Sequence, residues 1–221
     1  MITAIFDLDG TIADTIADLG DAVNCGLTQL GCPVHGYEAY KKMVGNGARK
    51  LCERALPDDR KDMAEELHGL FKEYYSSHYL DKTRLYDGMK ETLERLQQNG
   101  VYLAVATNKP ESAARDIIAE LLPNIDFVRV LGGRDDRPTK PDIAILTEIF
   151  AALPDEENRV FMIGDSNVDV RTAKNAAIEC IGCAWGFRGR SELEAEGADY
   201  IAEKPGDIFG IIMRSGLNTV K

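Results

Sequence analysis

The sequence predicts an α/β protein with a mostly parallel sheet, helices on both faces of that sheet, and a small all-helical domain inserted after the first strand. Two observations support this prediction. Short apolar runs alternate with helix-like stretches along most of the chain. Residues 15–82, which follow the first apolar run, carry no convincing strand pattern.

The strand-like runs are four to seven residues long and lie at 2–6, 101–106, 127–131, 160–163 and 178–184. Helix-like stretches separate the later runs, at 89–99, 111–121, 142–152 and 168–176. Strands that alternate with helices favour a parallel, Rossmann-like sheet that is covered on both faces.

The inserted block is predicted to contain helices at 16–30, 37–44, 49–56 and 60–79. A block of this length is too long for an ordinary loop. We therefore divide the chain into residues 1–14 and 83–221 of a core domain and residues 15–82 of a helical domain. The two crossings, near Asp14 and at 83–88, are expected to form a hinge.

The composition excludes several kinds of partner. With 37 acidic against 26 basic residues the formal net charge is −11, which disfavours binding to nucleic acid or to an anionic membrane. No apolar run approaches the roughly 20 residues that span a bilayer. We expect a cytoplasmic monomer or homodimer that acts on a small molecule.

Polar residues follow the predicted strands where each strand ends. They are Asp7 and Asp9 after the first strand, Thr107 and Asn108 after the second, Lys140 after the third and Asp165 after the fourth. A helix is expected to begin at Pro141. Because ligands of parallel sheets bind beyond the carboxyl ends of the strands, we expect these side chains to share one crevice.

Carboxylates and carbonyls are the ligands that Mg²⁺ prefers. The carboxylates of Asp7 and Asp165 and the backbone carbonyl of Asp9 can provide a partial cage. Asp7 is then placed to attack phosphorus, and Asp9 to protonate the leaving alkoxide and deprotonate water. Thr107, Asn108 and Lys140 would stabilise the charge on the transferred phosphoryl group.

Paired aspartates in a turn are weak evidence when taken alone, because such residues often cap helices. The order of the motifs is far more specific. The segments Asp7-Leu8-Asp9-Gly10-Thr11, Thr107-Asn108, Lys140-Pro141 and Gly164-Asp165-Ser166-Asn167-Val168-Asp169 resemble the four ordered motifs of the haloacid dehalogenase superfamily of phosphatases. The resemblance spans the chain, and the inserted block resembles the C1 cap of that superfamily.

This resemblance implies a role for each matching residue. Asp7 is the nucleophile and a metal ligand, and Asp9 is the general acid/base and a ligand through its carbonyl. Thr107 and Lys140 bind phosphate. Asp165 is a further metal ligand, with Asp169 nearby in the acidic cluster.

Within the superfamily the sequence is most similar to the phosphoglycolate phosphatases, through residues 44–49, 185–189 and 197–200. The resemblance implies hydrolysis of 2-phosphoglycolate through an aspartyl-phosphate. One departure is Ile143, where the family often has a second proline after the lysine-proline pair.

Five residues of the insertion are expected to contact the substrate: Lys42, Gly45, Asn46, Gly47 and Arg49. The glycines free the backbone for a close approach, and Arg49 or Lys42 can meet a substrate carboxylate. The alternative is that the glycines only separate two helices and the basic side chains are solvated.

Other functions are compatible with the same predicted pocket. The substrate can instead be pyrophosphate, a nucleoside monophosphate or a sugar phosphate, whereas a phosphomutase or a dehalogenase is disfavoured. A non-enzymatic alternative is a signalling module that is phosphorylated on Asp7. The helical lid and Asp9 argue against that alternative, because a slow switch needs neither.

Overall fold

The computed structural model describes residues 1–154 and 159–216, and its centre is a six-stranded parallel sheet of order β5-β4-β1-β6-β7-β8. The strands are β1 (Ile2–Phe6), β4 (Tyr102–Pro110), β5 (Phe127–Gly133), β6 (Arg159–Gly164), β7 (Glu179–Cys183) and β8 (Tyr200–Ala202). Every neighbouring pair in this sheet runs parallel. The predicted α/β class is confirmed.

Strand β1 lies in the middle of the sheet, between β4 and β6. Its residues alternate between two apolar layers, with Ala4 and Phe6 in one and Ile5 in the other, all fully buried. Burial on both faces explains why this strand is a continuous apolar run. The polar residues that follow β1 therefore emerge at the centre of the sheet edge.

In the part of the chain that the structure describes, six helices cover the two faces of the sheet. The layer on one face includes residues of α5 (Met89–Gln98), α6 (Glu111–Leu121) and α10 (Pro205–Gly216), and that on the other residues of α7 (Ala144–Phe150), α8 (Asn167–Asn175) and α9 (Arg190–Glu196). The segments 190–196, 200–202 and 205–216 were not predicted as regular elements.

Helix α7 begins at Ala144, and the expectation that it begins at Pro141 is wrong. The carboxylate of Asp142 accepts a hydrogen bond from the backbone N–H of Ala144 at 2.8 Å. This local bond closes a turn ahead of the helix, as aspartate side chains commonly do. Lys140 therefore lies in a loop before that turn.

The inserted block forms the helices α1 (Ile16–Gln29), α2 (Tyr37–Met43), α3 (Ala48–Ala55) and α4 (Ala64–His78), with a 3-10 helix at Asp58–Met63. These helices share an apolar cluster of their own, in which Tyr40, Leu67 and Phe71 are almost fully buried. The cluster also contacts Ala113 and Phe187 outside the insertion. The division at 15–82 stays a prediction.

Two short strands hold the entry and exit of the insertion together. Strand β2 (Ala13–Asp14) pairs antiparallel with β3 (Arg84–Leu85). The buried carboxylate of Asp18 accepts hydrogen bonds from the backbone N–H groups of Lys82 and Thr83 at 2.9 Å each. The chain thus leaves and re-enters the core at one place, where the hinge is expected.

Among the described residues, no helix has the length and apolar character that a bilayer crossing requires.

Candidate active site

Asp7 follows β1 directly and lies at the edge of the sheet. Its backbone N–H still donates to the carbonyl of Ile163 in β6 at 2.8 Å, so its position is set by the sheet. Its carboxylate Oδ1 accepts the N–H of Leu8 at 2.7 Å. The residue is 8% exposed, which leaves a buried but reachable carboxylate.

A tight turn follows Asp7, and Gly10 is required in it. Gly10 has φ of 82°, and a Cβ at this position would lie 2.4 Å from Oδ2 of Asp165. Both the left-handed backbone and the lack of space exclude a larger residue. The glycine in the sequence motif therefore allows the first acidic segment to approach the second.

Lys140 is fully buried between two carboxylates. Its Nζ lies 3.2 Å from Oδ1 of Asp7 and donates to Oδ1 of Asp169 at 2.7 Å. Burial by itself lowers the pKa of Lys140, but the charges of Asp169 and Asp7 outweigh burial and raise it. The structure therefore holds an ammonium group beside Asp7.

Asp169 is oriented by the first turn of α8. Its Oδ2 accepts the backbone N–H of Ser166 at 3.1 Å and the hydroxyl of Ser166 at 2.7 Å, and the Ser166 side chain caps the helix in return. Such a capping box is encoded locally by a serine followed three residues later by an acid. Both oxygens of Asp169 are thus occupied, one by Lys140 and one by Ser166.

Asp165 comes at the end of β6, the neighbour of β1. Its Oδ2 accepts the backbone N–H of Phe187 at 2.6 Å. Burial, followed by the charges of Asp169 and Asp7, raises the pKa of Asp165 well above its usual range. Burial also raises the pKa of Asp7 to about 6, although the charge of Lys140 opposes the rise.

These carboxylates fit a divalent cation. One oxygen from each of Asp7, Asp165 and Asp169 lies within 4.8 Å of the others. Three buried acids repel one another, and a cation bound among them would offset that cost. All three carboxylates also accept hydrogen bonds from the protein, Asp7 from Leu8, Asp165 from Phe187, and Asp169 from Lys140 and Ser166. The assignment of Asp7 and Asp165 as the metal ligands stays a prediction.

Thr107 and Asn108 lie within β4, which extends further than predicted. The pairing of β4 with β5 shifts register between Ala106 and Pro110, and such irregularities redirect side chains next to active sites. Thr107 is 2% exposed, and its hydroxyl opposes the rise in the pKa of the Asp7 carboxylate.

The amide of Asn108 connects two loops. Its Oδ1 accepts the N–H of Lys140 at 2.8 Å, and its Nδ2 donates to the carbonyls of Lys140 at 3.0 Å and of Gly45 at 2.9 Å. Asn108 therefore positions the lysine loop and the glycine loop of the insertion. The phosphate contact predicted for it stays a prediction.

Asp9 points toward a lysine that sequence reasoning missed. Lys109 Nζ donates to Oδ1 of Asp9 at 2.9 Å and to the hydroxyl of Tyr75, on α4, at 2.5 Å. Burial alone lowers the pKa of Lys109, but the charges of Asp9 and Tyr75 raise it above its usual range. The signal for Lys109 was its place directly after Thr107-Asn108; Tyr75 carries no such signal.

The predicted residues of the insertion fall into two groups. Gly45 and Gly47 line the pocket, with φ of 119° and 84°, and Asn46 accepts a hydrogen bond from Arg54 at 2.7 Å. Lys42 is exposed, and Arg49 is exposed and pairs with Glu65 at 2.7 Å. The described lining of the pocket includes neither of these two basic residues.

The pocket lies between the sheet edge and the insertion, with about 550 Å³ of empty space including the part open to solvent. Its polar lining residues include Asp7, Asp9, Thr107, Lys109 and Asp165. Leu19, Leu51, Phe71 and Phe187 line it with apolar groups, and Arg188 adds a positive charge that the sequence motifs did not assign.

Fold and site together define an α/β enzyme with an acidic pocket at the carboxyl edge of its sheet. The chain belongs to the family described as haloacid dehalogenase-like hydrolase, which it matches over residues 4–183. The predicted family is thereby confirmed.

Individual relatives cover most of the chain. It is 35% identical over 206 residues to phosphoglycolate phosphatase of Pseudomonas putida, covering 90% of this chain and 75% of the relative. It is 32% identical over 214 residues to phosphoglycolate phosphatase of Vibrio parahaemolyticus, covering 94% of each chain. A solved structure from Lactobacillus delbrueckii subsp. bulgaricus matches with a TM-score of 0.89 and 30% identity, covering 95% of this chain and 97% of that one. The predicted enzyme class, a phosphatase, is confirmed.

Proposed function

We propose that this phosphatase is Mg²⁺-dependent and hydrolyses a small phosphomonoester, 2-phosphoglycolate above all, through an aspartyl-phosphate on Asp7. The observation that carries the proposal is the setting of Asp7. Its buried carboxylate contacts the ammonium group of Lys140 at 3.2 Å and has an oxygen within 4.8 Å of oxygens of Asp165 and Asp169.

In the first step Asp7 attacks phosphorus and the ester oxygen leaves. Lys140, which contacts Asp7, and Thr107, which lines the pocket, stabilise negative charge on the phosphoryl oxygens as the bond to the leaving group breaks. Asp7, Asp165 and the carbonyl of Asp9 would hold Mg²⁺. When bound, this ion neutralises charge on the phosphoryl group and on the carboxylates.

In the second step water hydrolyses the aspartyl-phosphate. Asp9, in its acid form, gives its proton to the alkoxide that departs in the first step, and the resulting carboxylate takes a proton from the water that attacks in the second. Lys109 holds Oδ1 of Asp9, and Tyr75 holds Lys109 from the insertion. The acid/base therefore has a fixed position when the insertion lies over the pocket, which also limits the access of water.

Two features support a small acidic substrate. The relatives in Pseudomonas putida and Vibrio parahaemolyticus are named phosphoglycolate phosphatases. The net charge of −11 speaks against nucleic acid, while the pocket carries the local positive groups of Lys109 and Arg188. We also propose a cytoplasmic location, in line with five free cysteines, since reducing compartments keep thiols free.

The decisive experiment measures phosphate release from 2-phosphoglycolate with Mg²⁺ and with a chelator. We expect phosphate release when Mg²⁺ is present and none with the chelator. Asp7→Asn should lower the rate of release by about a thousandfold or more, because an amide is a poor nucleophile and a neutral ligand. Mass spectrometry of acid-quenched wild-type protein should detect phosphate on Asp7. Normal turnover by folded Asp7→Asn would refute the mechanism.

A substrate panel separates the alternatives. If pyrophosphate, a nucleoside monophosphate or a sugar phosphate has a higher kcat/KM, that compound replaces 2-phosphoglycolate as the proposed substrate. The proposed mechanism then stays the same. An aspartyl-phosphate that persists for minutes without turnover would instead favour the signalling module.

A further inference from the structure

Arg188 is a partly buried cation that the catalytic steps do not use. It lies in the loop after β7, its side chain is 16% exposed, and it lines the pocket. Its Nη2 donates to the backbone carbonyl of Val44, in the insertion, at 2.8 Å. A guanidinium group has five N–H donors, so this neutral contact leaves most of its capacity for a ligand.

The negatively charged partner of Arg188 in the structure is held at a long distance. Among the described residues its ion pair is with Glu192, at 4.0 Å from Nε to Oε1, which is the limit of such a contact. Glu192 also accepts the backbone N–H of Asn167 at 3.1 Å. A partly buried arginine is stabilised well by a carboxylate that it holds with two parallel hydrogen bonds, and Glu192 does not provide them.

A second guanidinium group lies nearby. Arg54 donates to the carbonyl of Met43 at 2.6 Å and to Oδ1 of Asn46 at 2.7 Å, and both acceptors are neutral. Burial first, and then the charge of Arg188, lowers the pKa of Arg54. Two cations thus contact the segment 43–47 mainly through neutral groups. Arg188, which lines the pocket, makes this side of the pocket attractive to an anion.

The loop of Arg188 is attached to the reactive end of the pocket. Phe187, its neighbour in sequence, donates its backbone N–H to Asp165 at 2.6 Å. On the side of the insertion, Gly45 follows Val44 and accepts the side-chain N–H of Asn108 at 2.9 Å. Arg188 thus adjoins Phe187, which contacts Asp165, and bonds to Val44, which adjoins Gly45, so it lies close to both segments that contact the acidic cluster and Asn108.

We propose that Arg188 binds the carboxylate of the substrate at the end opposite the transferred phosphoryl group, and so selects small phosphomonoesters that carry a second anionic group. This inference rests on the proposed phosphatase function and adds the residue that decides specificity. It differs from the expectation for Lys42 and Arg49, which are exposed on the surface of the insertion.

The test compares two substrates that differ at one group. They are 2-phosphoglycolate and hydroxyethyl phosphate, in which a neutral CH₂OH replaces the carboxylate. We expect Arg188→Met to lower kcat/KM for 2-phosphoglycolate by about tenfold to a hundredfold, as loss of a charged hydrogen-bonded pair does. Hydroxyethyl phosphate should change by less than about threefold, because it never made that pair.

Matched variants complete the experiment. Arg188→Lys keeps the charge without the two-pronged geometry and should lose less than Arg188→Met, mainly through KM. Arg190→Met is the control, because Arg190 is exposed and pairs with Glu194 and Glu203 rather than with the pocket. Arg49→Met tests the competing residue. Thermal denaturation of each variant verifies that it is folded.

The outcomes are distinct. If Arg188→Met lowers kcat/KM equally for both substrates, Arg188 only links the loop to Val44. If it lowers kcat/KM for neither, Arg188 has no role, and either result overturns the inference. Loss of selectivity in Arg49→Met instead of Arg188→Met overturns it as well. If wild-type protein hydrolyses both substrates with equal kcat/KM, the inference is overturned and the proposed function stands. If wild-type protein hydrolyses no phosphomonoester, the proposed function is overturned as well.

Discussion

Lys109 Nζ donates a hydrogen bond to Oδ1 of Asp9 at 2.9 Å, across a separation of 100 residues in the chain. Both side chains are largely buried, at 1% and 12% exposure. A buried carboxylate that is paired in this way has a fixed orientation, and the loss of one partner leaves the other charge uncompensated. The pair therefore ties the position of Asp9 to strand β4.

The first prediction concerns this pair. We expect Lys109→Met to lower the single-turnover rate with 2-phosphoglycolate by about tenfold to a hundredfold, because Asp9 no longer points reliably at the leaving oxygen. The burst rate with p-nitrophenyl phosphate should change far less, since its phenolate leaves without a proton. Rapid-quench and stopped-flow measurements of the first turnover give both rates.

Tyr75→Phe provides the graded control, because it removes only the hydroxyl that contacts Lys109 at 2.5 Å. Its effect should be smaller than that of Lys109→Met and in the same direction. Equal losses with both leaving groups in Lys109→Met would mean that the lysine only supports the fold.

The second prediction concerns the stability of the acidic cluster. The pKa of Asp165 lies above its ordinary value of 3.8 in the folded chain, so the folded state binds more protons and stability falls as pH rises above that value. With a chelator present near neutral pH, Asp165→Asn should therefore have a Tm a few degrees above that of wild type. This is the rise in Tm expected for an increase of roughly 1 kcal/mol in the free energy of unfolding.

Mg²⁺ should reverse the order of the two melting temperatures. It should raise the Tm of wild type and have much less effect on Asp165→Asn, which lacks the charged ligand. Asp116→Asn, which removes an exposed carboxylate on α6, should respond to Mg²⁺ as wild type does. An equal response of wild type and Asp165→Asn to Mg²⁺ would exclude Asp165 as a ligand.

The third prediction concerns the close packing of the loop 185–189 on the acidic cluster. A Cβ at Gly186 would lie 2.2 Å from Cβ of Asp165 and 2.5 Å from the carbonyl oxygen of Gly10. Gly186→Ala must therefore displace the loop, and with it the N–H of Phe187 that Asp165 accepts. We expect a weaker Mg²⁺ activation, with the midpoint raised about tenfold or more.

Gly206→Ala is the matched control, because a Cβ there meets nothing within 4 Å and φ is not positive. It should leave the Mg²⁺ titration of phosphatase activity unchanged. A Gly186→Ala protein with the wild-type midpoint would show that the loop moves without consequence for the metal.

The oligomeric state and the domain boundaries at 15–82 stay predictions. The pairing of β2 with β3 and the two backbone bonds to Asp18 give the insertion a narrow base, which is the geometry that a hinge requires. The family, the phosphatase class and the parallel sheet are confirmed.

The sequence by itself determined the features whose causes are local or periodic. The apolar run before Asp7 indicates a buried strand, Gly10 indicates a tight turn, and Ser166 with Asp169 encodes a helix cap. Because parallel strands share one carboxyl edge, the convergence of Asp7, Lys140 and Asp165 also followed from the order of the elements.

Only the tertiary structure decided which long side chains reach the pocket. Arg49 and Arg188 look equivalent in sequence, yet Arg49 pairs with Glu65 on the surface and Arg188 lines the cavity. Lys109 likewise finds Asp9 and Tyr75, which lie 100 and 34 residues away in the chain. A flexible side chain takes its position from neighbours that the fold brings together, and spacing along the chain does not specify those neighbours.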